Sequence, residues 1–256
     1  MQPLMQALTE VEERIRSARQ IFLYLDFDGT LAPMVADPAA ARLCPEARET
    51  LRRLAGRGSW TVTIVSGRAV GDLYARIGLD GLIYAGNHGL EISGPNLHFV
   101  EPEAAARREP LHRLALELAV RLRPLAGVLV EYKRLTVSVH YRRAAAADIA
   151  KAEAAVREAV AAGGEFRLMP GVQVFEIVPR ANWHKGAAVE WINRRLGNGD
   201  ALAIYLGDDA SDEDAFAVLP DGITVKVGSA ATAHARYHLS GPGEVDEFLS
   251  WLEQAG

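Results

Sequence analysis

A single cysteine, Cys44, stands in a chain of 256 residues, so no internal disulfide can form and a reducing compartment is the simplest expectation. Nowhere does an uninterrupted apolar run approach the ~20 residues that a membrane-spanning helix needs. The first twenty residues, MQPLMQALTEVEERIRSARQ, mix acids with bases and lack the apolar stretch of a signal peptide. Basic residues are in deficit as well. Lys and Arg total 28 against 33 Asp and Glu, a formal net charge of −5, and a nucleic-acid-binding surface normally needs the opposite balance. These absences predict a cytoplasmic protein with neither a membrane nor a nucleic-acid partner. What is present is the composition of an ordinary soluble globule, 49% hydrophobic and 24% charged, long enough for one large domain or two modest ones.

Short apolar runs alternate with helical periodicity. The runs Ile21–Leu25, Trp60–Val65, Leu82–Ala85, Leu202–Leu206 and Ile223–Val227 are of strand length and not strictly alternating, as in strands covered on both faces of a parallel sheet. Helical segments lie between them at Pro45–Leu54, Ala69–Ile77, Lys185–Leu196 and Asp212–Val218, and Glu244–Leu252 closes the chain. Alternation of this kind predicts a Rossmann-like α/β core. The middle of the chain reads differently. A helix over Ala104–Leu122, strands over Gly127–Lys133 and Arg134–Tyr141, a helix over Ala144–Ala161, and strands over Phe166–Met169 and Gly171–Val178 with a Pro170–Gly171 turn give the order αββαββ. That is a pattern of hairpins, and it predicts a separate α+β domain inserted into the core. The expected division is 1–103 for the first part of the core, 104–175 for the insert and 176–256 for the second part of the core.

The stretch LYLDFDGTLAP ends a predicted strand in two carboxylates, Asp26 and Asp28. Ligand sites of parallel α/β folds lie beyond the carboxyl ends of the strands. Three other polar groups fall at such positions: Ser66-Gly67-Arg68 after Trp60–Val65, Gly207-Asp208-Asp209 after Leu202–Leu206, and Lys185-Gly186 opening a helix. Crowded carboxylates repel, and one would be driven towards protonation. Mg²⁺ removes the difficulty, because it takes a few carboxylate oxygens from protein and leaves its other positions to water and phosphate. Phosphoryl transfer to a carboxylate fits this set. Asp26 would attack phosphorus, and Asp28 would protonate the leaving oxygen and then take a proton from water. Ser66 would donate to a phosphate oxygen and Lys185 would neutralise charge. Asp26, Asp28 and Asp208 would hold the metal, with Asp209 and Asp212 ordering water around it. Gly29 lets the chain turn so that backbone N–H groups face the phosphate, with Thr30 and Gly67 beside it. Arg68 and the Asn87-His88-Gly89 loop would border the sugar or its phosphate.

Taken in order, D-F-D-G-T, S-G-R, K-G and G-D-D-x-S-D-E-D resemble the haloacid-dehalogenase (HAD) superfamily of phosphohydrolases. The longer wording DFDGTLAPMVADP, IVSGR, AGNHGLE, EYKRLTVSVHYR and GDDASDEDAF resembles the trehalose-6-phosphate phosphatases within it, from about Leu23 to Leu239. The resemblance implies a HAD core with a cap and a Mg²⁺-dependent hydrolase of trehalose biosynthesis. Its roles for Asp26, Asp28, Ser66, Lys185 and Asp208 are those reached above from charge. It also implies that Glu131, Lys133, His140, Arg142 and Glu176 read the sugar. Two positions depart from the family's pattern: Ser211 stands where threonine is usual, and Val178 where arginine is frequent.

In RLTVSVHYR, Leu135, Val137, Val139 and Tyr141 point one way and Arg134, Thr136, Ser138, His140 and Arg142 the other. The first row suits packing on the insert's helices, and the second offers donors to a polyhydroxylated ligand. Glu176 interrupts the apolar row of Val172, Val174 and Val178. Only one strand–helix unit fits between Asp26 and Ser66, so a lid must be the αββαββ insert. The expected partner is a small sugar phosphate. Other sugar phosphatases of the superfamily, for sucrose phosphate or mannosyl-3-phosphoglycerate, would use the same core, and a non-catalytic sugar-phosphate-binding domain is the remaining alternative.

Overall fold

The computed structural model describes residues 1–35, 37–197, 199–229 and 232–255, with Pro170 described by its backbone alone. In chain order its elements begin with β1 (Gln2–Pro3), α1 (Leu8–Ser17), β2 (Gln20–Leu25), α2 (Pro45–Ala55), β3 (Trp60–Val65), α3 (Val70–Ile77) and β4 (Ile83–Gly86). They continue with β5 (Glu91–Gly94), β6 (Leu97–Val100), α4 (Pro102–Ala106), α5 (Arg108–Leu122), β7 (Leu129–Tyr132), β8 (Val137–His140), α6 (Ala146–Gly163), β9 (Phe166–Gly171) and β10 (Val174–Pro179). The last are α7 (Lys185–Leu196), β11 (Ala201–Gly207), α8 (Glu213–Ala217), β12 (Ile223–Val227), β13 (Tyr237–Leu239) and α9 (Pro242–Ala255). Two compact units form, one from Met1–Phe99 with Trp183–Gly256, the other from Val100–Asn182. Glu176 therefore lies in the second unit, whereas the expected division set it at the start of the returning core.

In the first unit the strands order as β1-β13-β12-β11-β2-β3-β4-β5-β6. Pairing is parallel from β1 across to β4 and antiparallel between β4 and β5. β2 shows why the runs are unbroken. Ile21, Leu23 and Leu25 enter one core cluster and Phe22 and Tyr24 the other, because successive side chains leave opposite faces. β11 repeats the division, with Leu202, Ile204 and Leu206 on one side and Ala203 and Tyr205 on the other. Helices α1, α2, α3 and α9 contribute to the first cluster and α7 and α8 to the second. Each fully buried leucine, such as Leu23, contributes about 1.5–3 kcal/mol through burial.

The order of strands also sets the place of a site. From β2 the chain runs outward through β3 and β4, and on its return it enters at β11 on the opposite side of β2. The sheet's direction of growth therefore reverses between β2 and β11, the position at which parallel α/β sheets bind their ligands, beyond the carboxyl ends of the strands. Asp26 directly follows β2 and Asp208 directly follows β11.

The second unit is an antiparallel sheet, β7-β8-β10-β9, carrying α5 and α6 on one face. Leu111, Leu118, Val137, Val139, Val156 and Ile177 lie in its core. Three local expectations are corrected. The helix expected over Ala104–Leu122 is two helices, α4 and α5, parted at Arg107, whose φ of −96° and ψ of 9° leave the helical region. The hairpin turn lies at Val172–Gln173 rather than Pro170–Gly171, which still pairs with β10, and Gln173 takes a φ of 59°. The outer strands β1 and β13 on one side and β5 and β6 on the other, and helix α1, join the first unit without having been expected.

Candidate active site

Lys185 is the hinge of the site's electrostatics. It opens α7, is 2% exposed, and donates Nζ to Asp26 Oδ1 at 2.8 Å and to Asp212 Oδ1 at 2.7 Å. Asp212 is fixed on its other side too: the Tyr205 hydroxyl donates to Oδ1 at 2.7 Å and the Asp209 N–H to Oδ2 at 2.9 Å. Tyr205 belongs to an aromatic row with Phe22, Tyr24 and Phe216 that fills the second core cluster. The packed core thus orders the polar rim through one phenol.

Asp26, Asp208 and Asp212 bring carboxylate oxygens within 4.8 Å of one another. Burial raises the pKa of Asp26 well above its ordinary value; Lys185 pulls it down, and Asp212 and Asp208 push it up. Asp208 is pushed up to about 6, first by burial and then by Asp212. For Lys185 burial acts against the charge, but Asp212 and Asp26 outweigh it and hold the ammonium above its usual value. The Lys185 ammonium pairs directly with Asp26 and Asp212, and Asp208 adds a third, partly buried carboxylate beside them, so acids outnumber this cation within the group. Oxygen donors this close, with charge still to be balanced, suit a hard divalent cation of the Mg²⁺ kind.

Asp28 lies outside this group. Its two oxygens accept from Arg68, Nε to Oδ2 at 2.6 Å and Nη2 to Oδ1 at 2.7 Å. Asp26 and Asp28 thus have separate cations, and the crowding expected between these two carboxylates falls instead among Asp26, Asp208 and Asp212. Asp209, expected to order water, caps the turn at Ala210–Asp212 and accepts from the Ala210 N–H and from Ser211 Oγ. Ser211 keeps the donating hydroxyl that a threonine there would supply.

Backbone geometry brings the other predicted groups together. Gly29 has a φ of +87°, and a Cβ built on it would stand 2.1 Å from Asp208 Oδ2, so only glycine fits between the two acidic loops. Thr30, fully buried, donates Oγ1 to Asp208 Oδ1 at 3.2 Å. Ser66 follows β3 and is 1% exposed, its Oγ accepting from the Arg68 N–H at 3.2 Å. The Asn87–Gly89 turn is stitched to this loop, with Asn87 N donating to Arg68 O at 2.7 Å and His88 N to Ser66 O at 2.9 Å. A Cβ on Gly67 would meet the His88 ring at 2.7 Å, which is why a glycine follows the serine.

Among the second unit's residues, Glu131, Ser138 and Glu176 pair directly across β7, β8 and β10. Glu176, 5% exposed, accepts from Lys133 Nζ at 2.6 Å and from Ser138 Oγ at 2.6 Å. His140 Nε2 lies 2.8 Å from Glu131 Oε2, and this bond with the Lys133 charge holds Glu131 below the usual carboxylate range against its burial. Arg142 follows β8 and is half-buried, and Val178 is buried. Three contributors escaped the sequence reading. Tyr205 looks like core. Lys226, 2% exposed inside an apolar strand, donates to the Asp208 carbonyl, and a lysine within such a strand was its signal. Asp72 approaches Arg68 from α3, and its four-residue spacing from that arginine was the available sign.

Among the described residues, no helix is long and apolar enough to cross a membrane. Residues 24–241 match the trehalose-phosphatase family model. The chain is similar to a trehalose-phosphate phosphatase of Mycobacterium tuberculosis, 42% identical over 245 residues that cover 92% of this chain and 62% of the relative. It thus spans less than two thirds of that curated relative's length. Two solved structures share the fold. One, of a trehalose-6-phosphate phosphatase related protein, superposes with a TM-score of 0.82 at 24% identity, covering 91% of this chain and 97% of the other. The C-terminal domain of a Candida albicans trehalose-6-phosphate phosphatase gives 0.79 at 22%, covering 96% of each.

Proposed function

The chain belongs to the trehalose-phosphatase family, and from that premise we propose that it hydrolyses trehalose 6-phosphate to trehalose and inorganic phosphate. The carrying observation is the buried convergence of Asp26, Lys185, Asp208 and Asp212 where the sheet reverses direction. Asp26 attacks phosphorus and forms an aspartyl-phosphate, which divides one difficult displacement into two. Asp28 gives its proton to the departing sugar oxygen and then removes one from the water that splits the phosphoenzyme. Ser66 donates its hydroxyl to a phosphoryl oxygen, and Lys185 offsets charge on both nucleophile and phosphoryl group. The backbone around Gly29, Thr30 and Gly67 faces the phosphate. Mg²⁺, held by Asp26 and Asp208 with Asp212 beside them, would neutralise the charge that phosphate brings into an already acidic site.

The sugar is read by the second unit, acting as a cap. Glu131, Lys133, His140, Arg142 and Glu176 belong to its sheet or flank it, and Glu176 is held rigidly by two donors, as a group that must meet hydroxyls in one orientation would be. Phosphate release from trehalose 6-phosphate, with magnesium and with EDTA, tests the activity. Sucrose phosphate and mannosyl-3-phosphoglycerate serve as competitors: turnover of either above the trehalose ester would replace the substrate, and binding without release would leave a non-catalytic domain. Glu176→Gln should lower kcat/KM for trehalose 6-phosphate about 10-fold or more, as loss of a charged hydrogen-bonding group does. p-Nitrophenyl phosphate, which has no sugar, should lose little. Equal losses on the two esters would remove Glu176 from sugar recognition.

A further inference from the structure

Arg68 was expected beside the substrate, and all three nitrogens of its guanidinium are held by protein oxygens, four of the five N–H donors being used. Nε and Nη2 fork onto Asp28, Nη2 also reaches Pro38 O at 2.8 Å, and Nη1 donates to Asp72 Oδ2 at 2.8 Å. The guanidinium carbon also lies 5.5 Å from the centre of the Phe27 ring. The same oxygen of Asp72 accepts from Arg76 Nε at 2.8 Å, and Arg76 Nη1 is tied to Ala41 O at 2.8 Å and Ala39 O at 3.2 Å. Asp72 and Arg76 are four apart on α3, and Arg68 lies just ahead of that helix's extended N-cap, Ala69, so the three charges run plus, minus, plus. This line of charge begins at Asp28 and ends on the chain at residues 39–41.

We propose that Asp72 and Arg76 are positioning residues for the acid/base carboxylate Asp28, acting through Arg68. The inference rests on the reading of Asp28 as that acid/base. A fork–fork pair fixes a carboxylate in plane and in rotation, and it leaves the remaining lone pairs of both oxygens open to a leaving group or a water. The fork is itself fixed only if the guanidinium cannot slide. Asp72 holds its third nitrogen, and Arg76 holds Asp72. Without the Asp72 charge, Arg68 and Arg76 become neighbouring cations with nothing between them, and repulsion draws Arg68 away from its seat. Asp28 then follows Arg68 or loses it, and a displacement near 1 Å costs on the order of 10²-fold where a proton must be delivered along one line.

The test is the dependence of rate on the leaving group. p-Nitrophenolate departs without a proton, whereas phenolate and a sugar alkoxide depart far better with one. Asp72→Asn should lower kcat/KM for trehalose 6-phosphate and phenyl phosphate by roughly 10–100-fold and for p-nitrophenyl phosphate by less than about 3-fold. Arg76→Met should follow the same pattern with a smaller loss, and Asp72→Glu should recover part of it. If Asp72→Asn melts early, Arg76→Met carries the comparison. Uniform losses across the three esters, or none, would overturn the proposal. Asp28→Asn separates this from failure of the underlying reading. If it too is unselective, the acid/base assignment falls and takes the positioning role with it; if it is selective while Asp72→Asn and Arg76→Met are not, only the positioning role falls.

Discussion

Asp26→Asn should reduce phosphate release by on the order of 10⁴-fold or more, the scale of loss when a covalent nucleophile is removed, while leaving the fold at least as stable. The second half follows from the electrostatics. Burial, with Asp212 and Asp208 adding to it, pushes the Asp26 pKa well above its ordinary value even though Lys185 pulls the other way. Its charge is thus a net burden on the folded state without a metal. Asparagine removes that charge, keeps the shape and still offers Lys185 an oxygen. Phosphate release on trehalose 6-phosphate and a melting curve in EDTA check both halves. Near-normal turnover would exclude the covalent role. Lost turnover with a sharp fall in melting temperature would mean that Asp26 carries structure, and the apparent loss of chemistry would follow from unfolding.

Asp26 could be found in the sequence because β2 is covered on both faces. Five apolar residues in succession, then an abrupt aspartate, can hardly be anything but a buried strand reaching the rim of its sheet. The same signature exposed Ser66 after β3 and Asp208 after β11. Spacing along the chain says nothing of which cation a carboxylate meets, however. Asp26 and Asp28 are two residues apart, but one faces Lys185 from α7 and the other faces Arg68 beside α3. That choice is made by tertiary packing. Two outer strands were hidden for a different reason: β1 is two residues long and β13 three, too short for any period to register. In the second unit the alternation of RLTVSVHYR correctly separated Leu135, Val137 and Val139 from the polar row, since one face of that sheet packs on helices. The alternation did not show that Ser138 is 2% exposed and donates to Glu176 from the neighbouring strand. Cross-strand register decided that, and register depends on a turn whose position was misread by two residues.

Lys185→Met should be the more damaging substitution for the fold. Methionine keeps much of the apolar stem but deletes the ammonium between Asp26 and Asp212, leaving buried carboxylates without their shared cation. Breaking a buried pair from one side costs about 3–5 kcal/mol, and urea denaturation in EDTA at pH 8 should show a loss of that order. Activity should fall with it, since the same ammonium neutralises nucleophile and phosphoryl group in the proposed reaction. The sign of the pH dependence separates charge from packing. Asp208 sits at about 6, above its ordinary 3.8, through burial and Asp212, and Asp26 is raised as well. A carboxyl raised on folding takes up a proton as the chain folds, so its unfavourable contribution is full above pH 6 and fades as pH falls towards 4. Lys185 lowers both groups, so the variant should raise them further and move this window upward. The deficit between parent and variant should therefore be largest near pH 8 and shrink towards pH 5, where protons do the work of the missing ammonium. A deficit that stays constant across that range would assign Lys185 a packing role and remove the charge argument from the centre of the site.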